Sequence, residues 1–77
     1  MKLEIIDIKI LNDGTKRYTA EFAEKELVIL GFILESMEGW CNYTTVKNHE
    51  ILLQIDAAPD FHTEVDGLIG YLQKTTI

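Results

Sequence analysis

Apolar and polar residues alternate in two runs at the start of the chain, and a turn separates them. The run from Leu3 to Leu11 alternates in its second half, where Ile6, Ile8 and Ile10 point one way and Asp7 and Lys9 the other. A period of two residues is typical of a half-buried strand. Asn12-Asp13-Gly14 follows, and aspartate and glycine tolerate the positive φ of tight hairpin turns. Lys16 to Phe22 alternates again, so the pattern predicts a β-hairpin.

The period then changes to that of a helix between Glu24 and Glu38. At about 100° per residue, one continuous apolar arc contains Leu27, Ile29, Leu30, Ile33, Leu34 and Met37. Val28 and Phe32, one turn apart, widen this arc well beyond the roughly 100° stripe of an ordinary surface helix. Gly39 stands where a left-handed residue would end the helix. We predict that the Leu27–Leu30–Leu34 side is core and that another molecule covers the Val28–Phe32 strip.

The second half of the chain repeats the order of hairpin and helix. Trp40 to Lys47 is rich in strand formers, and Ile51 to Asp56 alternates after a tight connection at Asn48-His49. Pro59-Asp60 is typical of the start of a helix. One face of that helix is apolar and contains Phe61, Val65, Leu68 and Leu72.

The order ββαββα predicts a single α+β domain over residues 1–77. We expect a ferredoxin-like two-layer sandwich, with a four-stranded antiparallel sheet and both helices on one face. The segment from the second strand to the second helix follows βαββα, which is most of a ferredoxin-like fold. The N-terminal strand can take the place of the missing last strand, which gives a circularly permuted arrangement.

From about Tyr18 to Gln73 the chain resembles a family of small bacterial proteins catalogued as domain of unknown function 4911. The residues that carry the resemblance are Phe32-Ile33-Leu34-Glu35 with Glu38-Gly39, Thr44-Thr45-Val46, and Ala58-Pro59-Asp60-Phe61 with Glu64-Val65. The strand through Ile10 is an addition to the family pattern, and Trp40-Cys41-Asn42-Tyr43 replaces a more aliphatic segment. The resemblance implies a compact α+β domain and brings no catalytic residue with it.

The net charge of the chain and the length of its apolar runs exclude some classes of binding partner. Thirteen acidic and seven basic residues give a net charge of −6, which disfavours binding to nucleic acid or to an anionic membrane. The longest apolar run, Leu27 to Leu34, is far shorter than the ~20 residues that span a bilayer. No signal peptide is expected, and the single cysteine fits a reducing cytoplasm. A chain of 77 residues buries only ~60–65% of its unfolded surface, so oligomerisation is one way to bury more.

Few residues have the character of a catalytic or metal-binding site. Cys41 lacks a flanking base or cation, and we interpret it as a small, partly buried strand residue. His49 and His62 could bind a metal with Cys41 or Asp60, but their spacing shows no paired-ligand pattern. Glu35 and Glu38 are interpreted as a solvated stripe. We therefore predict no catalytic residue, no metal and no cofactor.

The leading hypothesis is a non-enzymatic binding or interaction module that self-associates as a homodimer. Its interface candidates are Val28, Ile29, Phe32 and Trp40, although Trp40 could equally cap the edge of the core. A small-molecule ligand or a protein partner stays open. The alternative is a small enzyme or enzyme subunit whose site around Cys41 and the histidines is completed by another chain.

Overall fold

The described part of the chain forms one sheet with two helices packed on the same face. The computed structural model describes residues 1–47 and 51–75. The elements are β1 (Leu3–Ile10), β2 (Lys16–Phe22), α1 (Leu27–Ser36), β3 (Cys41–Lys47), β4 (Ile51–Ala57) and α2 (His62–Lys74). A 3-10 turn precedes each helix, at Glu24–Glu26 and at Pro59–Phe61. The predicted order ββαββα is confirmed.

All pairings between neighbouring strands are antiparallel, and the sheet order is β1-β2-β4-β3. Because β4 lies between β2 and β3, those two strands run in the same direction, and α1 is part of the connection between them. Within the described residues, β1 and β3 are the two edge strands of the sheet.

The first helix is shorter than the sequence pattern predicted. The predicted range was Glu24 to Glu38, whereas the α-helix spans Leu27–Ser36. The predicted first turn, Glu24–Glu26, is a 3-10 turn. At the other end, Met37 leaves the helical region with φ −94° and ψ 48°. Gly39 has the predicted positive φ, at 87°, but it lies in a separate turn in which the Trp40 N–H donates to the Met37 carbonyl.

β1 contains an irregularity that changes which side chains face the helices. Ile5 pairs with Ala20, whereas Asp7 pairs with Thr19, so one extra residue lies between them. Ile8 lies three positions after Ile5, and regular alternation would place it on the opposite face. The bulge keeps it on the same face as Ile5, since their partners Ala20 and Tyr18 are two residues apart. The apolar positions of the sequence change from odd to even at the same place.

The second half of β1 is not half-buried, and that part of the prediction is wrong. Ile8 and Ile10 are both exposed. The end of α2 lies beside the start of β1, where Gln73 donates to the Leu3 carbonyl. Ile8 faces the same layer but belongs to an edge strand, so half of its surface remains uncovered.

Side chains from the sheet and both helices form one core cluster. Its buried members are Leu3, Tyr18, Ala20, Leu30, Leu34, Cys41, Leu53, Ile55, Ala57, Val65, Ile69 and Leu72. The predicted core positions Leu30 and Leu34 are buried, while Leu27 is only partly so. No helix in the described residues is both long and apolar enough to cross a membrane.

Candidate functional site

An apolar strip on α1 is the largest departure from a fully covered helix. Val28 is 70% exposed, Phe32 71% and Ile29 38%, and these three residues are called the α1 strip below. Val28 and Phe32 border a shallow groove of about 280 Å³ between α1 and β3, the α1–β3 groove. Its lining residues are Leu27, Val28, Gly31, Phe32, Glu35 and Tyr43. The contact of this strip with another molecule stays a prediction.

The side of the groove next to β3 is held by a tyrosine that passes close to the helix. A Cβ atom at Gly31 would lie 2.9 Å from the Tyr43 hydroxyl oxygen, so a larger residue there would force the ring to move. The Tyr43 hydroxyl donates to Glu35 Oε1 at 2.8 Å. This bond raises the pKa of Tyr43. Glu35 is exposed, as its interpretation as part of a solvated stripe expects, and it also anchors Tyr43 through this bond.

Trp40 packs within the chain. Its ring stacks on Phe61 with centroids 5.9 Å apart and an interplanar angle of 19°. It contacts the core cluster, and its carbonyl accepts the Ala58 N–H at 2.9 Å. Trp40 is not a lining residue of the α1–β3 groove. Of its two interpretations, the contacts favour capping of the core edge.

Among the described residues, Cys41 and His62 belong to no group that could hold a metal ion. No three His, Cys, Asp or Glu side chains in residues 1–47 and 51–75 are grouped so as to hold a metal ion. His62 Nε2 donates to the Gly14 carbonyl at 2.8 Å, which joins the first turn to the start of α2. His49 lies outside the described residues.

We expect the Cys41 thiol to be unreactive at pH 7 in the folded protein. Cys41 is only 8% exposed, and its burial raises the pKa of the thiol. A raised pKa leaves less thiolate, the nucleophilic form, at neutral pH. Labelling with a disulfide reagent should be at least tenfold slower in native protein than in 6 M guanidinium. Equal rates would show that the thiol is accessible and would revive the enzyme hypothesis.

A second concavity, of about 390 Å³, lies at the end of the sheet where β2 begins and β4 ends. Arg17 and Asp56 form a two-bonded ion pair there, with N–O distances of 2.9 and 3.0 Å. Asp13 also lines this cleft, and its pKa is lowered by the Thr15 N–H. Since Asp56 already balances the Arg17 charge, the cleft offers no free cation to an anionic ligand. The alternation of each strand predicts that Arg17 and Asp56 lie on the polar face. Their pairing could not be predicted, because it depends on β2 and β4 being neighbours in the sheet.

A cluster of polar side chains joins β2 to α2, and the sequence alone did not predict it. The Tyr18 hydroxyl donates to Asp66, and Lys16 Nζ lies 3.0 Å from the same carboxylate. Burial raises the pKa of Tyr18, and the bond from Tyr18 lowers the pKa of Asp66. Tyr18 therefore stays protonated and Asp66 ionised near neutral pH. These bonds link β2 to α2.

Comparison with models of protein families, with curated proteins and with solved structures finds no match to this chain. The fold and the groove define a small α+β domain with an apolar surface beside a sheet edge. Any function must therefore be inferred from the geometry of this chain.

Proposed function

We propose that this protein is a non-enzymatic interaction module that self-associates, and that a second copy covers the α1 strip. The observation that carries the proposal is the exposure of Val28 and Phe32 on a helix whose other side is buried core. Covering a large apolar side chain contributes about 1.5–3 kcal/mol. A contiguous exposed apolar patch of a few hundred Å² is typical of an interaction site.

The distribution of charge supports a second copy as the occupant. The chain carries a net charge of −6, so two copies repel each other over most of their surfaces. The segments Leu27 to Leu34 and Cys41 to Val46 contain no charged residue. The carboxylate that lines the groove, Glu35, accepts a hydrogen bond from Tyr43. Two copies therefore approach with least repulsion through this surface, whereas a basic partner would favour the acidic surfaces elsewhere.

We further propose that the fold is a circularly permuted ferredoxin-like sandwich. The succession β2–α1–β3–β4–α2 and the sheet order β1-β2-β4-β3 support this assignment, because β1 occupies the position of the missing last strand. The resemblance to the bacterial family of unknown function stays a prediction and adds no activity. A cytoplasmic location also stays a prediction, as does the binding of a small molecule.

Light scattering with a charged variant of the α1 strip tests self-association. We expect the wild-type protein to be a dimer at high micromolar concentration. Phe32→Glu should raise the dimer dissociation constant on the order of 100-fold, because an aromatic anchor in an interface contributes about 2–4 kcal/mol. The matched control is Tyr71→Glu on α2, where the replaced ring is 68% exposed and does not line the groove.

Two results would contradict the proposal. A wild-type protein that is monomeric at high micromolar concentration does not self-associate. A dimer that Phe32→Glu and Tyr71→Glu weaken equally is not formed through the α1 strip. Circular dichroism of both variants checks that each remains folded.

A further inference from the structure

We infer that the two copies join through their β3 strands, which pair antiparallel across a two-fold axis. The two four-stranded sheets then become one continuous sheet of eight strands, and the two α1 helices pack side by side above the junction. This inference rests on the proposed self-association and specifies its geometry.

The outer edge of β3 has backbone groups available for such a pairing. β3 is the last strand of the sheet, and the described residues place no strand beyond it. The bond from the Ala58 N–H to the Trp40 carbonyl sets the alternation of the β3–β4 ladder. Since the bonding direction alternates along an antiparallel pair, the N–H and C=O groups of Cys41, Tyr43 and Thr45 point away from β4.

Regularity distinguishes β3 from the other edge strand. The pairing of β1 with β2 is interrupted between Ile5 and Asp7, and bulges of this kind discourage edge-to-edge pairing. The pairing of β3 with β4 runs from Cys41 to Lys47 with no shift of register. β3 contains no proline, and its single charged residue lies at its end. A straight, regular edge is the one that accepts another strand.

The position of α1 fits this arrangement. We place α1 above the boundary between β3 and β4, because Tyr43 of β3 passes close to Gly31 and Leu30 belongs to the same core cluster as Ile55 of β4. Strands in a sheet are about 4.8 Å apart, so pairing through β3 separates the two α1 axes by about two strand spacings, roughly 10 Å. Packed helices have interaxial distances of about 8–10 Å. Val28 and Phe32, on the β3 side of α1, would then lie between the helices.

The surface area that a stable dimer buries indicates that the interface is larger than the α1 strip. Three partly exposed side chains offer only a few hundred Å², whereas a stable interface buries roughly 800 Å² on each partner. Pairing along the seven residues of β3 adds backbone and side-chain area next to the strip. A dimer formed by the helices alone would leave the β3 edge exposed to solvent beside its interface.

The register that pairs every residue of β3 places Thr44 opposite Thr44 of the second copy, because Thr44 is the middle residue of Cys41–Lys47. Its own N–H and C=O face β4, so this would be a non-hydrogen-bonded pair with a Cα–Cα distance of about 4.5 Å. Disulfides form across Cα–Cα distances of about 4.4–6.8 Å. A cysteine at this exposed position should therefore link two copies.

Disulfide trapping of Thr44→Cys tests the register. The variant is made in two backgrounds, the wild-type chain and Cys41→Ala. The second background leaves Thr44→Cys as the single thiol, and the first provides the test if Cys41→Ala does not fold. Under mild oxidation we expect a disulfide-linked dimer on non-reducing gels, formed at least tenfold faster than in the matched variant Lys9→Cys. Lys9 is exposed on β1, the other edge strand.

The possible outcomes separate this inference from the proposed function. If the wild-type protein is a dimer but Thr44→Cys links no faster than Lys9→Cys, the β3 pairing with Thr44 opposite Thr44 is wrong and self-association stands. Faster linking of Lys9→Cys would move the junction to β1. A monomeric wild-type protein overturns both proposals.

Discussion

Leu53→Ala is expected to lower the free energy of unfolding by about 3 kcal/mol, the typical cost of truncating a buried leucine. Leu53 is fully buried on β4, an inner strand of the sheet, where Ala20 and Thr45 flank it on the neighbouring strands. Truncation removes contacts and leaves a cavity that the surrounding side chains fill only in part. A domain of this size has a total stability of roughly 5–10 kcal/mol, so the loss is a large fraction of it.

Urea unfolding followed by circular dichroism measures this loss. All variants are compared at one protein concentration, because association stabilises the folded state by mass action. The matched control is Leu52→Ala, since Leu52 is the preceding residue of β4, points to the opposite face and is only partly buried. Its expected loss is below about 1.5 kcal/mol. Equal losses for the two variants would mean that the open face is buried as deeply as the core.

Gly14→Ala is expected to lower the free energy of unfolding by about 2 kcal/mol, and Gly39→Ala by about 1 kcal/mol. The two glycines have nearly the same left-handed backbone, with φ of 89° and 87°. Their surroundings differ, because a Cβ atom at Gly14 would lie 3.3 Å from Cγ of Pro59, whereas one at Gly39 meets nothing within 4 Å. The strain in φ is common to both variants, so the difference measures the contact with Pro59.

The hydrogen bond between His62 and the Gly14 carbonyl adds to the effect at Gly14. A turn displaced by contact with Pro59 weakens this bond, which joins the first hairpin to the start of α2. Urea unfolding of the two variants at one concentration gives the comparison. Indistinguishable losses would show that Pro59 yields to the added methyl group at no cost.

The order of elements could be predicted because each signal is local. Alternation predicts strands, the 3.6-residue period predicts helices, and Asn12-Asp13-Gly14 predicts a turn because the required φ depends on the residues themselves. The bulge in β1 was not predicted, although the apolar positions change from odd to even between Ile5 and Ile6. The ends of α1 were predicted less well, because the competition between a 3-10 turn and an α-helix depends on a few weak bonds.

Part of the candidate site could also be predicted from the sequence. The width of the apolar arc identified Val28 and Phe32, because a sheet can contact only one side of a helix. The contact of Tyr43 with Gly31 and its bond to Glu35 were not predictable. They depend on how α1 lies across β3, and many side chains separated along the chain set that position together.

By itself, the sequence determined the order of strands and helices, the apolar face of each element, and the excess of apolar surface on α1. These properties follow from backbone preferences and from periodicity within a few residues. The tertiary structure decided that β4 lies between β2 and β3, which brings Arg17 to Asp56 and makes β3 a regular edge strand, within residues 1–47 and 51–75, beside the α1 strip. Strand neighbours are chosen by the packing of the whole core, and no local pattern contains that information.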